Sequence, residues 1–313
     1  MIKVAITGAD TSDSGELIRL LAMHPDVEII SAQAASLQGR SLASVHHGLI
    51  GETSLTFSAA TDLSKCDVLF VGGNDMTGEE LTRLRTDRPD LKIIMLDRIA
   101  GVDAERLDIV YGLPEINRKQ LVRGATAAGL PASFASMALV SLFPFANSLL
   151  LNGDIDINIS SPRPILESTD IDDVKDQIRQ QLREVQRSFS GTINIRTSES
   201  QARRSALMDI EFDCTLSLQQ ILDLYDIYDD HRFSFVTTSA VGVSEVAGTN
   251  KCVISVAKGD YGKCIMRVAA DCRLRGGAGE AVHIMNLMCG LHEKTGLNLK
   301  AIDFDPVGNE GMA

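Results

Sequence analysis

An α/β chain of two domains, the first doubly wound and the second α+β, is what this sequence predicts, and three patterns predict it. Short apolar runs alternate with amphipathic helical segments through the first half. From about Leu149 the pattern changes to alternation of apolar and polar residues, the mark of half-buried strands. The length, 313 residues, is enough for two domains and a sizeable core.

In the first half the apolar strands are KVAIT from Lys3, VEIISA from Val27, CDVLFVGG from Cys66 and LKIIMLD from Leu91. Between them lie the helices GELIRLLAMH and TGEELTRLRTD, from Gly15 and Thr77. Such βαβ alternation requires a parallel sheet flanked by helices. Asp13 or Ser14 is expected to cap the first helix, because short polar side chains accept the orphan amides of a first turn. The stretch ASMALVSLFPFANSLLL from Ala135 is broken by serines, a proline and an asparagine, so it reads as a buried helix and turn rather than a membrane span.

In the second half DIDINIS alternates Ile155, Ile157 and Ile159 against polar residues, and ALMDIEFDC alternates Met208, Ile210, Phe212 and Cys214 against Asp209, Glu211 and Asp213. Between them STDIDDVKDQIRQQLREVQ forms an amphipathic helix with Val174, Ile178, Leu182 and Val185 on one face, opened by a Thr169–Asp172 capping box. A further helix is expected from Ser217, and a hairpin turning at Gly259-Asp260-Tyr261-Gly262.

Composition narrows the function. A net charge of −12 opposes a main role in binding nucleic acid or anionic membrane, since phosphate backbones need a basic footprint. Met1-Ile2-Lys3-Val4 runs straight into a strand, leaving no room for a signal peptide, so a cytoplasmic protein is expected. The six cysteines show no C-x-x-C pair and no metal-ligand spacing and read as reduced, with Cys66, Cys252 and Cys264 packing as small hydrophobes in or beside apolar strands. His46 and His47 are adjacent but have no third ligand in view, which favours a positional role over metal binding.

The most informative stretch runs from YGLPE (Tyr111 to Glu115) to Pro131-Ala132-Ser133 and the apolar helix MALVSLFP. Near the end, TNKCVISVAKG from Thr249 precedes GGAGEAVHIMNLMCGLHEKTGL from Gly276. Together these blocks resemble N-acetyl-γ-glutamyl-phosphate reductases of the aspartate-semialdehyde dehydrogenase superfamily. The resemblance covers nearly the whole chain. It implies a Rossmann-like nucleotide-binding domain over 1–147 and 276–313, and an α+β mixed-sheet substrate and dimerisation domain over 148–275. It also implies NADP as cofactor, a small acidic molecule as ligand, and a homodimer or homotetramer. The implied reaction is reduction of an acyl phosphate to a semialdehyde through a covalent thioester, a step in arginine biosynthesis.

The resemblance places a catalytic cysteine where this chain has Ser133, cofactor contacts at Gly8, Thr11, Ser12, Asp13, Ser14, Cys272, Gly276 and Gly277, and a substrate arginine at Arg204. A thiol titrating near pH 8.5 is readily made a thiolate, whereas a serine hydroxyl needs a partnered base. A thioester also accepts hydride better than an oxygen ester, because sulfur donates less electron density to the carbonyl carbon. The family's acid/base histidine belongs in the segment here reading DIDDVKDQIRQQL, and none lies between His47 and His231.

Other departures follow. Where the family has a Gly-x-x-Gly-x-x-Gly turn, only Gly8 stays in register; Thr11 and Ser14 narrow the approach, and Asp10 and Asp13 repel phosphate. No acidic residue or Ser-Arg pair closes VEIISAQ to choose between NAD and NADP, and Arg40 is the nearest cation. Asp-Asn-Leu becomes Asp271-Cys272-Arg273, and a Ser-Ala-Asp-Phe-Arg motif is missing from RIAGVDAERLDIV. The turn at Gly276 and Gly277 still opens a helix, where an anion site and close packing explain the glycines equally. Three function classes remain: a reductase using Ser133 or a displaced cysteine such as Cys272, a catalytically silent ligand-binding or oligomerising relative, and an enzyme of changed chemistry. The departures favour the second.

Overall fold

A computed structural model of the chain describes residues 1–73, 76–99 and 102–302. By its contacts the chain forms two compact units, Met1–Pro131 with Gly277–Asn298, and Ala132–Gly276 with the stretch from Leu299. Among the described residues no helix is long and apolar enough to cross a membrane.

The first unit is built on β1 (Ile2–Thr7), α1 (Ser12–Ala22), β2 (Val27–Ala32), β3 (Val68–Val71), α2 (Gly78–Asp87), β4 (Lys92–Met95), β5 (Val110–Tyr111), α3 (Pro114–Val122) and β6 (Ala127–Gly129). Its six strands are all parallel, in the order β2-β1-β3-β4-β6-β5. Every residue of β3 is buried, as a strand covered on both faces demands. The expected cap of α1 is corrected. Thr11, in extended backbone, caps the helix by accepting the Ser14 amide, so the helix begins before Asp13 and Ser14. Asp13 instead lies in the first turn, where its charge complements the helix dipole. A Thr77–Glu80 capping box starts α2.

The second unit holds α4 (Ser133–Asn147), β7 (Ile155–Pro162), α5 (Arg163–Glu167), α6 (Ile171–Val185), β8 (Ile193–Ser200), β9 (Ser205–Asp213), α7 (Leu218–Leu224), β10 (Ser234–Thr237), β11 (Cys252–Lys258) and β12 (Lys263–Asp271). These strands make a mixed sheet, β10-β11-β12-β9-β7-β8, parallel at both ends and antiparallel between. The α6 cap is Asp170, which accepts the amides of Asp172 and Asp173, rather than the Thr169–Asp172 box. Thr169 is turned back to donate to Ile165 O at 2.7 Å and closes α5.

Helix α4 groups with the second unit, so the division falls at Pro131 rather than at residue 147. The reason is its burial on nearly every side: it packs on α6 and on β9, β11 and β12. The helix also continues through Pro144. Proline lacks the amide that would bond the carbonyl of residue 140, and the Tyr228 hydroxyl donates to Val140 O at 2.8 Å in its place. The Tyr225 hydroxyl also donates to the helix, to Ser141 O at 2.6 Å.

The last helix, α8 (Ala278–Met288), is fully buried and packs with α1, α3 and β4 in the first unit. Its loop is pinned by Glu293, which accepts from His283 Nε2 at 2.9 Å and pairs with Arg118 of α3. Burial alone would push the Glu293 carboxyl up, but the His283 and Arg118 contacts hold it down at about 2.

Candidate functional site

The residues singled out in the sequence gather into two clusters, one in each unit. In the second unit Ser133 is the first residue of α4, following Ala132 at the cap position, and is half-buried. Its Oγ donates to the backbone carbonyl of Cys272 at 2.9 Å. That bond commits the hydroxyl proton to a neutral oxygen that cannot act as a base. Behind it, Gly276 holds φ at +65°, and a Cβ there would lie 2.5 Å from Ser133 Cα. The glycine is therefore required by close backbone approach.

Helix α6 reaches the same segment through an amide. Gln177 is buried; its Oε1 accepts the Ala132 amide at 3.1 Å and its Nε2 donates to Asp173 at 2.7 Å. An amide does not ionise near neutral pH, so it cannot replace an imidazole as acid or base. In the sequence, the one signal for Gln177 is a polar residue directly before Ile178 beside the apolar face of α6. The second unit contains a single histidine, His231. It meets Tyr228 edge-on at 5.5 Å, and Tyr228 bonds Val140, two turns along α4 from Ser133.

Arg204 pairs through Nε with Asp271, a fully buried carboxylate. Asp271 also accepts the amides of Gly248 at 2.7 Å and Arg273 at 3.0 Å. Burial raises the Asp271 carboxyl above its ordinary range, and the Arg204 charge opposes that shift. Cys272 is buried, and burial drives its thiol far above the usual thiol range. The same cause puts Cys66 at about 11 and Cys264 at about 12. None of these three supplies a thiolate near neutral pH.

In the first unit Gly8, Thr11, Ser12, Asp13 and Ser14 form the β1–α1 turn. Gly8 has φ +61°, and a Cβ on it would fall 2.1 Å from Gly72 O, so this glycine serves the packing of β1 against the end of β3. Thr11 Oγ1 donates to Ser14 Oγ at 3.0 Å and accepts the Ser14 amide at 3.2 Å. Asp97, after β4, accepts the Gly73 amide at 3.1 Å. His46 donates from Nε2 to Ala9 O at 2.6 Å, and a Cβ on Gly15 would lie 2.4 Å from its Nδ1. The imidazole is thus a brace for the turn. Among the described residues no group of His, Cys, Asp and Glu could hold a metal ion. Gly277 precedes α8 as its cap, without a side-chain hydrogen bond. The segment RIAGVDAERLDIV after β4 includes residues 100 and 101, which lie outside the described residues.

Known proteins share this organisation. Residues 3–123 match the family description "Semialdehyde dehydrogenase, NAD binding domain". An N-acetyl-γ-glutamyl-phosphate reductase of Parabacteroides distasonis is 33% identical over 97% of this chain and 100% of its own length. One from Phocaeicola vulgatus is also 33% identical, with the same coverage. A crystal structure of aspartate semialdehyde dehydrogenase with NADP from Candida albicans superposes with a TM-score of 0.66 at 11% identity, over 92% of this chain and 98% of that one. The last likeness concerns the fold.

Proposed function

Since the chain belongs to the N-acetyl-γ-glutamyl-phosphate reductase family, we propose that it is a member that has kept the scaffold without the thioester chemistry, serving as a ligand-binding or self-associating relative. One observation carries this reading: at the position of the expected thiolate, Ser133 Oγ is bound to a backbone carbonyl at 2.9 Å. Attack on an acyl phosphate would require that hydroxyl to lose its proton as the phosphate leaves. In its own unit the nearby acceptor is a carbonyl, the nearby side chain is the amide of Gln177, and the one imidazole is taken up against Tyr228. Even an acylated serine would be an oxygen ester, a poorer hydride acceptor than a thioester.

In this reading the second unit's mixed sheet is the self-association surface of a dimer or tetramer, and the ligand is a small acidic molecule. The six cysteines form no disulfide, which suits a reducing compartment such as the cytoplasm. NADP is the dinucleotide that the family implies, but the first-unit turn does not fit it.

The test is Ser133→Cys. Restoring the thiol alone is expected to give no NADPH-dependent reduction of N-acetyl-γ-glutamyl phosphate above background, because the acid/base group is still missing. Turnover within about a hundredfold of a typical enzyme's roughly 10 per second would contradict the reading.

A further inference from the structure

We propose that Thr11 and Ser14 are specificity-determining residues that close the first βα turn against the pyrophosphate of a nicotinamide dinucleotide. In a dinucleotide-binding turn, glycines keep side chains out of the way and leave backbone amides facing the phosphates. Here both features are altered by the same pair. The two hydroxyls bond each other at 3.0 Å, and Thr11 Oγ1 takes the Ser14 amide at 3.2 Å. The Thr11 amide is given to Gly8 O at 3.3 Å. Two amides of the turn are therefore already satisfied from within.

The pair also occupies space. Ser14 is fully buried, and a Cβ built on Gly72 would stand 3.0 Å from its Oγ. One built on Gly73 would stand 3.6 Å from Thr11 Cγ2. The hydroxyl pair thus lies against the glycines that follow β3, tightly at Gly72 and in ordinary van der Waals contact at Gly73. Charge acts in the same sense. Asp10 and Asp13 are exposed on this turn, and the Asp97 carboxylate is fixed to the neighbouring Gly73 amide, so an entering phosphate meets anions. The domain retains the dinucleotide-binding shape while its phosphate cradle is filled by its own side chains. This inference rests on the first unit alone and stands apart from the reading of Ser133.

Calorimetric titration of NADPH, NADP and NAD into the full chain and into Thr11→Gly/Ser14→Gly tests it. The wild-type protein is expected to show a Kd weaker than about 1 mM for all three, and the double variant to bind at least one about tenfold more tightly. Glycine is an accepted helix cap at Thr11 and only modestly destabilising in the first turn at Ser14, so the variant is expected to fold, which circular dichroism checks. The conservative variant Thr11→Ser retains the bonding hydroxyl and should behave as wild type. Micromolar binding by the wild-type protein would overturn the proposal. So would a folded double variant that binds no better, since the hydroxyl pair would then not be the determinant.

Discussion

Replacing Arg204 by methionine is expected to destabilise the second unit by about 3 kcal/mol at neutral pH, the scale on which breaking a buried ion pair acts. Asp271 is fully buried at the end of β12, and its charge is met by Arg204 and two backbone amides. Methionine keeps much of the aliphatic volume and removes the counter-charge. The loss should depend on pH with a definite sign. Burial raises the folded carboxyl above its unfolded value, so the folded state takes up a proton more readily, and acidification relieves the cost. Without Arg204 the folded carboxyl rises further. The deficit of Arg204→Met against wild type should therefore be greatest at neutral pH and shrink as pH falls through the raised value. Asp271→Ala should be at least as damaging, because Gly248 and Arg273 then lose their acceptor. Denaturant melts of the two single variants and the double variant decide this, with the double well short of additive. If Arg204 instead stands ready for a ligand, as the resemblance implies, its truncation should change stability by less than about 0.5 kcal/mol.

The second large effect is expected at Gly8→Ala. A left-handed backbone costs an L-residue about 1 kcal/mol or more, and the new methyl would meet Gly72 O at 2.1 Å. Backbone on both sides cannot yield as a flexible side chain would, so a loss above about 3 kcal/mol and a fall in Tm of about 10 °C are expected. Gly39→Ala provides the comparison. Its φ is +79°, but nothing lies within 4 Å, so only the conformational part of the cost applies. Similar melting temperatures for the two variants would contradict the packing role assigned to Gly8.

Much of the fold was legible because burial leaves a periodic trace. The apolar runs that became β1, β3 and β4 are continuous because both faces of a parallel sheet are covered. Strands β7 and β9 alternate because one face is half-solvated. Strand β8 was not legible, since its INIRTSES sequence sits mostly exposed at a sheet edge with little apolar alternation. The caps of α1 and α6 were displaced for a local reason. Several capping residues stand side by side, and the one in extended backbone wins: Thr11 over Asp13 and Ser14, Asp170 over Thr169.

The candidate site was less legible than the scaffold. Ser133 could be found from the flanking motifs, but its carbonyl partner depends on Cys272, 139 residues away in sequence. Gly276 left an anion site and close packing equally open, and its approach to Ser133 favours packing. Gln177 and Asp271 are polar groups inside apolar patterns, and only tertiary partners give them meaning. His46 was read as positional from its loop, and its bond to Ala9 is of that kind.

Ser133 can support the reductase reaction only by forming an acyl intermediate that a nicotinamide can reduce. The most direct measurement mixes the wild-type protein at high concentration with N-acetyl-γ-glutamyl phosphate and NADPH, following nicotinamide absorbance and the mass of the Ser133 peptide. No consumption above the protein-free rate, and no acyl adduct, is the predicted result. Steady NADPH consumption that disappears in Ser133→Ala would contradict it.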